Sequence, residues 1–237
     1  MIQNLFYQPL TASGIHYLDE VESRHCIKVL RKRQGDPITV TDGKGEFFDC
    51  VITDASDRRC AFDIAGHLTV PRESFAVNIA ISPTKSADRI EWFVEKAVEI
   101  GVNNITLIDC KNSERSFINM DRLTKVAISA MKQSLKARLP EISPIVSFND
   151  FVTTAVQDEK YIAFVDQTNP DHLSEVAKPG RSYVVLIGPE GDFSHDELTL
   201  ALSFGFQKVS LGNSRLRTET AGVVACHTLN LVNRRQR

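Results

Sequence analysis

Apolar and polar residues follow two different patterns along this chain. The first seventy residues contain short apolar runs separated by tight turns, which predict four strands at residues 2–7, Pro37–Thr41, 47–53 and 60–64. The sequence Asp-Gly-Lys-Gly at 42–45 predicts a hairpin turn between the second and third strands. A short helix is predicted over residues 21–30. Short strands joined by tight turns favour a small β-barrel.

Strands alternate with helices after a polar segment at residues 70–74, which we interpret as a linker. Apolar runs predict strands at 77–81, 105–108, 161–165 and 183–187. Helical spacing predicts one helix over residues 87–100, ended by Gly101, and another over 121–139, ended before Pro140. This alternation predicts an α/β domain with a mainly parallel sheet covered by helices. We therefore expect two domains, residues 1–72 and residues 73–237.

Two glycine turns near the end of the chain each follow a predicted strand. The first, residues 188–193, follows the strand at 183–187, and the second, residues 212–218, follows a strand at 207–211. Parallel strands present their carboxyl ends at one edge of a sheet, which is where open α/β folds bind ligands. We predict the active site at this edge.

Helix caps accompany both turns. Ser194 and Glu197 have the spacing of a capping box, and Gly205 stands where a left-handed cap would end that helix. Thr218 is predicted to cap the last helix. The second turn thus ends at a helix start.

Composition and charge narrow the class of protein. With 237 residues and 42% hydrophobic content, the chain can bury a large core, and 28 basic against 30 acidic residues give a net charge of −2. A polyanion would therefore be bound by local patches. The five cysteines include no C-x-x-C pair, so we expect neither a disulfide framework nor a metal site. The N-terminus lacks a signal peptide pattern, and no apolar run reaches roughly 18 residues, so we expect a soluble cytoplasmic protein without a membrane partner.

A basic run lies in the first domain. Residues 1–72 contain nine basic and ten acidic side chains, and five of the nine basic ones are Arg24, Lys28, Arg31, Lys32 and Arg33. Two interpretations stay open, a solvated helix face or a contact with phosphates. A second group of cations, Lys132, Lys136 and Arg138, lies at the end of the long helix. Arg234, Arg235 and Arg237 lie at the C-terminus, where the helix dipole favours cations in any case.

Known ligand motifs do not account for the glycine turns. Gly-Pro-Glu-Gly at 188–191 is not a P-loop, no G-x-G-x-x-G follows the strand at 77–81, and there is no G-x-S-x-G. The first turn alone has an ordinary interpretation as a tight turn. The second turn places Arg215, Arg217, Thr218 and Glu219 at a helix start, which favours a chemical role, although the dipole favours Glu219 there without one.

The two turns resemble the signatures of the RsmE family. Residues 188–194 are similar to GPEGGFS, and residues 211–221 are similar to LGxxILRTETA. Further similarity extends over essentially the whole chain, at His25, Gln133 and residues 29–31, 35–36, 42–45, 96–102, 113–116 and 139–142. The sequence departs from the family at Asp192 and Leu135, where glycine is customary, and at Ser214 and Arg215, which replace Arg-Ile. Asp192 either avoids a positive φ or uses the tolerance of Asp for it.

This resemblance implies a function and a fold. RsmE proteins are S-adenosylmethionine-dependent methyltransferases of the SPOUT class that methylate N3 of a uridine, uracil-1498, in 16S ribosomal RNA of the small subunit. The implied fold is a PUA-like β-barrel, which binds RNA, followed by a SPOUT α/β domain with a C-terminal trefoil knot, and the implied assembly is a homodimer. The cofactor methyl is already activated, so no metal is required.

Site residues are carried over from the matching positions. The resemblance implies cofactor binding by Ile187, Gly188, Glu190, Gly191, Leu211, Gly212, Leu216, Arg217, Thr220 and Ala221. Catalytic roles are implied for Arg217, which would stabilise charge on the uracil carbonyls, and for Glu190 or Glu219 as proton acceptor. Contacts with RNA are predicted for Arg24, Lys28, Arg31, Lys32, Arg33, Lys136 and Arg138.

Two other functions are open on the sequence. A SPOUT methyltransferase could act on another RNA such as tRNA, and a catalytically silent RNA-binding factor in ribosome assembly could keep the same fold. A pure binder would not need two intact glycine turns, which favours the enzyme.

Overall fold

The computed structural model describes residues 4–114, 117–164 and 171–234. The chain forms two compact units, Met1–Arg72 with Ile128–Leu139, and Glu73–Ala127 with Pro140–Arg237. The assignment of RNA binding to residues 1–72 and of catalysis to residues 73–237 stays a prediction.

The first unit contains a sheet of four strands in the order β1-β2-β3-β4. They are β1 (Leu5–Tyr7), β2 (Pro37–Thr41), β3 (Glu46–Asp54) and β4 (Ala61–Thr69). The predicted hairpin is confirmed, because β2 pairs antiparallel with β3. The inward-facing side chains Phe6, Val40, Ile52 and Phe62 are buried in its core, which is what the alternation of apolar and polar residues along these strands dictates.

The predicted helix at 21–30 has two parts. Helix α1 (Glu20–Arg24) begins at Asp19, whose side chain accepts a hydrogen bond from the Glu22 N–H, and a π-helix (His25–Val29) continues it. Arg31 follows in the left-handed region with φ 57°. Glycine adopts this conformation at a lower free-energy cost, so the arginine stands at a position that the backbone conformation alone would assign to glycine.

The second unit contains a sheet of six strands, all parallel, in the order β10-β8-β9-β5-β6-β7. They are β5 (Ala76–Ile81), β6 (Asn104–Asp109), β7 (Glu141–Ser147), β8 (Glu159–Ala163), β9 (Ser182–Ile187) and β10 (Gln207–Val209). The predicted parallel sheet is therefore confirmed. Val165, the last residue of the strand predicted at 161–165, lies outside the described residues.

Helices accompany these strands. They are α2 (Ala87–Ile100), α3 (Met120–Gln133), α4 (Phe148–Thr154), α5 (Leu173–Val176), α6 (His195–Ser203) and α7 (Thr218–Arg234), and α3 from Ile128 onward belongs to the first unit. The α2 bounds match the prediction, and Gly101 ends the helix with φ 120°. Strand β7 and helices α4 and α5 were not predicted. β7 contains Pro144, which interrupts the apolar pattern by which a strand is predicted from sequence. The proline is tolerated because β7 lies at the edge of the sheet.

Helix α7 packs tightly through a glycine. A Cβ built on Gly222 would lie 2.5 Å from the Phe93 ring and 3.1 Å from Ile81 Cδ1. The absence of a side chain therefore sets how closely α7 approaches α2 and β5. No helix in the described ranges is both long and apolar enough to cross a membrane.

The prediction that α3 extends to residue 139 is wrong. The helix ends at Gln133, and Leu135 has φ 54°. The Leu135 N–H donates to the Lys132 carbonyl at 3.2 Å, and the Lys136 N–H donates to the Met131 carbonyl at 3.0 Å. These bonds form a Schellman motif, which normally has glycine at the left-handed position. The sequence predicted a longer helix because leucine is a strong helix former.

Replacing Leu135 with Gly is expected to raise the free energy of unfolding by about 0.5–1 kcal/mol, because it relieves a left-handed leucine whose side chain is 42% exposed. Thermal or urea unfolding would measure the change. Lys125→Gly is the matched control, since this exposed residue lies inside the same helix, and there glycine should lower stability by about 1 kcal/mol. A loss of stability in Leu135→Gly would contradict the strain argument.

Candidate active site

The register of the strands brings both glycine turns to one edge. Ile187 of β9 lies opposite Ile81 of β5 and Ala163 of β8, and Val209 of β10 lies opposite Ala163. The segments that follow β9 and β10 therefore leave the sheet at the same edge. The predicted convergence is confirmed, with β8 between the two strands that carry the turns.

The first turn is shaped by the contact between Gly188 and Phe193. A Cβ on Gly188 would lie 3.1 Å from two atoms of the Phe193 ring. Asp192 has φ 60°, and its Oδ1 accepts a hydrogen bond from the Phe193 N–H at 2.8 Å. Of the two alternatives for Asp192, the structure thus has the positive φ, which the side chain supports locally.

The predicted capping box at the start of α6 is confirmed. The Ser194 hydroxyl accepts from the Glu197 N–H, and Glu197 Oε2 accepts from the Ser194 N–H at 2.8 Å. Gly205 has φ 82° beyond the end of the helix, as its predicted cap role requires. Glu197 Oε1 also accepts from the Lys111 N–H at 2.7 Å. One buried carboxylate therefore joins α6 to the segment after β6.

Residues 110–114, the segment after β6, contact both the first glycine turn and the segment that follows β5. Asn112 Nδ2 donates to the carbonyl oxygens of Gly191 at 3.3 Å and Asp192 at 3.0 Å. The hydroxyls of Ser113 and Ser82 lie 2.9 Å apart. Sequence reasoning assigned no site role to this segment, although Ser113 and Glu114 begin the family-like match at 113–116, whose last two residues lie outside the described part of the chain.

Two titratable groups of this region have shifted pKa values. The hydrogen bond with Glu114, whose carboxylate lies 2.9 Å from Lys85 Nζ, raises the pKa of Lys85. Burial raises the pKa of the Cys110 thiol. Cys110 is itself a buried side chain of the hydrophobic core.

The second turn is hydrogen-bonded to the first. Helix α7 begins at Thr218 itself, and the Thr218 hydroxyl donates to the Gly188 carbonyl at 3.0 Å. The prediction that Thr218 caps α7 is therefore wrong, because its side chain binds the neighbouring turn. Gly212 in the second turn has φ 124°, and apart from its chain neighbours no described residue has an atom within 4 Å of the position of a Cβ.

Three charged side chains meet where the turns adjoin α2. Arg89 Nε lies 3.8 Å from Glu219 Oε1, and Arg89 Nη1 lies 4.0 Å from Glu190 Oε1. Glu190 Oε1 also accepts from the Lys85 N–H at 3.3 Å. The second oxygen of each glutamate is buried and has no hydrogen-bond partner among the described residues. Both predicted acids are thus brought together by an arginine that sequence reasoning missed.

A cavity of about 580 Å³ opens beside this cluster. It is lined by Asp88, Arg89, Trp92, Arg215, Leu216, Arg217, Glu219 and Thr220. Four predicted site residues, Leu216, Arg217, Glu219 and Thr220, therefore share one cavity. The Arg217 side chain is exposed.

The other predicted cofactor-binding residues lie around the same edge. Ile187 is buried at the end of β9, and Gly191 lies against Asn112 in the first turn. The Ala221 N–H donates to the Arg217 carbonyl within the first turn of α7. Leu211 and Gly212 follow β10, and in the described structure they are not part of the cavity lining.

The basic run of the first unit is partly engaged. Arg24 pairs with Glu20 at 2.7 Å, Lys28 pairs with Asp57 at 3.2 Å, and Lys32 Nζ donates to the Pro37 carbonyl at 3.0 Å. Arg31 and Arg33 are exposed. RNA binding by these five residues stays a prediction.

The second basic group makes intramolecular contacts. The Arg138 guanidinium donates to the carbonyl oxygens of Lys44 and Val70, and Lys132 pairs with the buried Glu22. Lys136 is half-buried. RNA binding by Lys136 and Arg138 stays a prediction. Arg235 and Arg237 lie outside the described residues, and within the described ranges no cluster of His, Cys, Asp or Glu could hold a metal ion.

Comparison with known proteins defines the class. The family model described as an RNA methyltransferase domain matches residues 71–230, and the model of an RNA methyltransferase PUA domain matches residues 18–65. The chain therefore contains an RNA methyltransferase domain and a PUA domain.

Individual relatives define the family. A probable rRNA-methyltransferase from Porphyromonas gingivalis is 41% identical, with a TM-score of 0.93 over 99% of this chain and 100% of that one. A ribosomal RNA small subunit methyltransferase E from Neisseria gonorrhoeae, solved with S-adenosylmethionine, is 26% identical, with a TM-score of 0.84 over 97% and 98% of the two chains. The enzyme of that name from Aquifex aeolicus is 27% identical over 93% of this chain and 96% of its own. This chain belongs to the RsmE family.

Proposed function

We propose that this protein is an S-adenosylmethionine-dependent methyltransferase that methylates N3 of a uridine in 16S ribosomal RNA of the small ribosomal subunit. It acts in the cytoplasm as a homodimer. The observation that carries the proposal is the hydrogen bond from Thr218 to Gly188, which joins two signature turns beside a cavity lined by Arg217 and Glu219. Membership in the RsmE family supports the same reaction.

The proposed architecture is that of a SPOUT enzyme. The four-stranded sheet of the first unit and the PUA-domain match support a PUA-like β-barrel over residues 1–72. The strand order, in which β10 lies beyond β8 and β9, and the RNA methyltransferase match support a SPOUT domain over residues 73–237 with a C-terminal trefoil knot.

The turns suit an adenosine-containing cofactor. Among the residues that the structure describes, none but the chain neighbours of Gly212 lies within 4 Å of its Cβ position, and its backbone conformation favours glycine. A ligand can therefore approach this backbone closely. The residues proposed to hold the cofactor are Ile187, Gly188, Glu190, Gly191, Leu211, Gly212, Leu216, Arg217, Thr220 and Ala221. S-adenosylmethionine, when bound, supplies a methyl group on a positively charged sulfur, which is electrophilic without a metal.

The protein side chains handle the proton and the charge of the acceptor base. N3 of uracil carries a proton that must leave, and Glu190 or Glu219 is the proposed acceptor. Negative charge then spreads to the carbonyl oxygens of the ring, and Arg217 is proposed to stabilise it. The base must be unpaired or flipped out of its helix, because pairing covers N3.

Two measurements test the proposal. Calorimetry should show S-adenosylmethionine binding to the purified protein, and mass spectrometry of 16S ribosomal RNA from a deletion strain should show the loss of one N3-methyluridine, restored by the gene. Loss of a methyl group from tRNA instead would identify the other substrate class. Absence of cofactor binding would leave the RNA-binding assembly factor.

Changing Arg31, Lys32 and Arg33 together to Ala is expected to weaken binding of cognate and unrelated RNA alike, because phosphate contacts carry little sequence information. The slope of log affinity against log salt should become shallower by roughly 0.7–0.9 for each phosphate that is no longer neutralised. Filter binding across a salt series measures both quantities, and S-adenosylmethionine affinity should not change.

Arg58→Ala with Arg72→Ala is the control, since both cations are exposed in the same unit but lie outside the run. An unchanged salt slope in the triple variant would make the run a solvated surface.

A further inference from the structure

Arg89 occupies a helix position that disfavours a cation. It is the third residue of α2, so it lies in the turn where the helix dipole is positive. The side chain of Ser86, the N-cap residue, accepts no hydrogen bond from the backbone N–H groups of the first turn. An arginine at this position opposes local helix electrostatics, and such departures from local preference concentrate at functional sites.

The surroundings of Arg89 supply the compensating charge. Its guanidinium lies within 4.0 Å of carboxylate oxygens from two separate parts of the chain, Glu190 in the first turn and Glu219 at the start of α7. Both distances exceed hydrogen-bond length, so the interaction is one of charge. The Glu219 side chain is 8% exposed, and at this burial an unpaired carboxylate is costly.

The two glutamates also need a common partner. Like charges that share a site repel each other, and a cation between them removes that repulsion. Lys85 donates its backbone N–H to Glu190, while its ammonium pairs with Glu114 at 2.9 Å and attracts Glu190 only from beyond ion-pair distance. Arg122, another arginine beside α2, pairs with Glu91 at 2.7 Å and Asp88 at 3.6 Å. Among the described residues, Arg89 is therefore the cation that ion-pairs with both glutamates.

We propose that Arg89 is a positioning residue for methyl transfer, which holds the carboxylates of Glu190 and Glu219 in place for the acceptor base. This role rests on the proposed function. Arg89 acts through the glutamates, whereas Arg217 in the same cavity is proposed to act on the base itself. Removal of Arg89 should therefore slow the reaction only when Glu219 is present, whereas removal of Arg217 should slow it with or without Glu219.

A double-mutant cycle tests the role. Arg89→Ala and Glu219→Gln should each lower the single-turnover rate by about 10- to 100-fold. The double variant should fall no more than about 3-fold below the slower single variant, because an arginine that acts through Glu219 has nothing left to position. Arg89→Lys should recover part of the rate. The parallel cycle with Glu190→Gln should show the same dependence.

Thermal unfolding of the same variants, without cofactor or RNA, gives a second readout. The shifts of the midpoint in Arg89→Ala and Glu219→Gln should not add in the double variant, since each removes the same ion pair. Arg122→Ala is the matched control, because it removes an arginine–glutamate pair between α3 and α2, and its rate should stay within about 2-fold of the unaltered protein.

The outcomes separate this role from the proposed function. Additive losses of rate, or additive midpoint shifts, would overturn the role of Arg89 while cofactor binding stands. Failure of the unaltered protein to bind S-adenosylmethionine would overturn the proposed function, and the thermal cycle would still decide whether Arg89 and Glu219 are coupled. No rescue by lysine together with additive rates would reduce Arg89 to a surface cation.

Discussion

Replacing Arg217 with Ala is expected to lower the single-turnover rate of methyl transfer by about 10²–10³, the loss typical of one positioned donor in a transition state. Arg217 lines the cavity beside Glu219, and its side chain makes no ion pair within the described residues, so its guanidinium is available to a ligand. RNA affinity should change far less than the rate. Rapid-quench kinetics and filter binding on the same preparations measure the two effects.

Arg215→Ala is the matched control for this experiment. Arg215 lies in the same turn and lines the same cavity, but it departs from the LGxxILRTETA signature, which has isoleucine at this position. Its loss should change the rate by less than about 10-fold. If Arg217→Ala weakened RNA binding as much as it slowed the reaction, Arg217 would be a docking residue and the proposed charge stabilisation would be wrong.

Gly212→Val is expected to raise the dissociation constant for S-adenosylmethionine by at least about 100-fold, because a β-branched residue at φ 124° forces the second turn to change its backbone. Gly188→Val should have a comparable effect for another reason, since its Cβ would already lie 3.1 Å from the Phe193 ring. Calorimetry measures both, and circular dichroism checks that the variants remain folded.

Gly180→Val provides the control for backbone strain. Gly180 also has a positive φ, 75°, and within the described ranges only its chain neighbours lie within 4 Å of a Cβ position, but it precedes β9 at the opposite edge of the sheet. It should lower stability and leave cofactor affinity unchanged. Unchanged affinity in both Gly188→Val and Gly212→Val would show that the cofactor binds elsewhere.

Much of the second unit could be predicted because its local signals agree with its tertiary structure. Ser194 and Glu197 form the capping box that their spacing indicates, and Gly101 ends α2 where the apolar spacing stops. The run 183–187 is apolar throughout because β9 is buried between β5 and β8. When local sequence preferences agree with the tertiary structure in this way, a helix or strand can be predicted without knowledge of its surroundings.

The missed features depend on contacts between distant residues. The threonine at the start of α7 has the chemistry of a cap, but the hydroxyl of Thr218 donates to Gly188, thirty residues away in the chain. Arg89 belongs to no motif, and its two ion pairs follow only from the tertiary structure, which brings Glu190 and Glu219 to the start of α2. The end of α3 could not be predicted because Leu135, a residue with high helix propensity, adopts a left-handed backbone conformation there.

The position of Trp92 makes the site optically visible. Trp92 is the single tryptophan of the chain, it is 43% exposed, and it lines the cavity with Arg217 and Glu219. All indole emission therefore originates beside the proposed acceptor site. A nucleobase that enters the cavity would change the polarity around the indole or stack on it and quench it. Occupancy of the cavity could then be followed in real time on unlabelled protein.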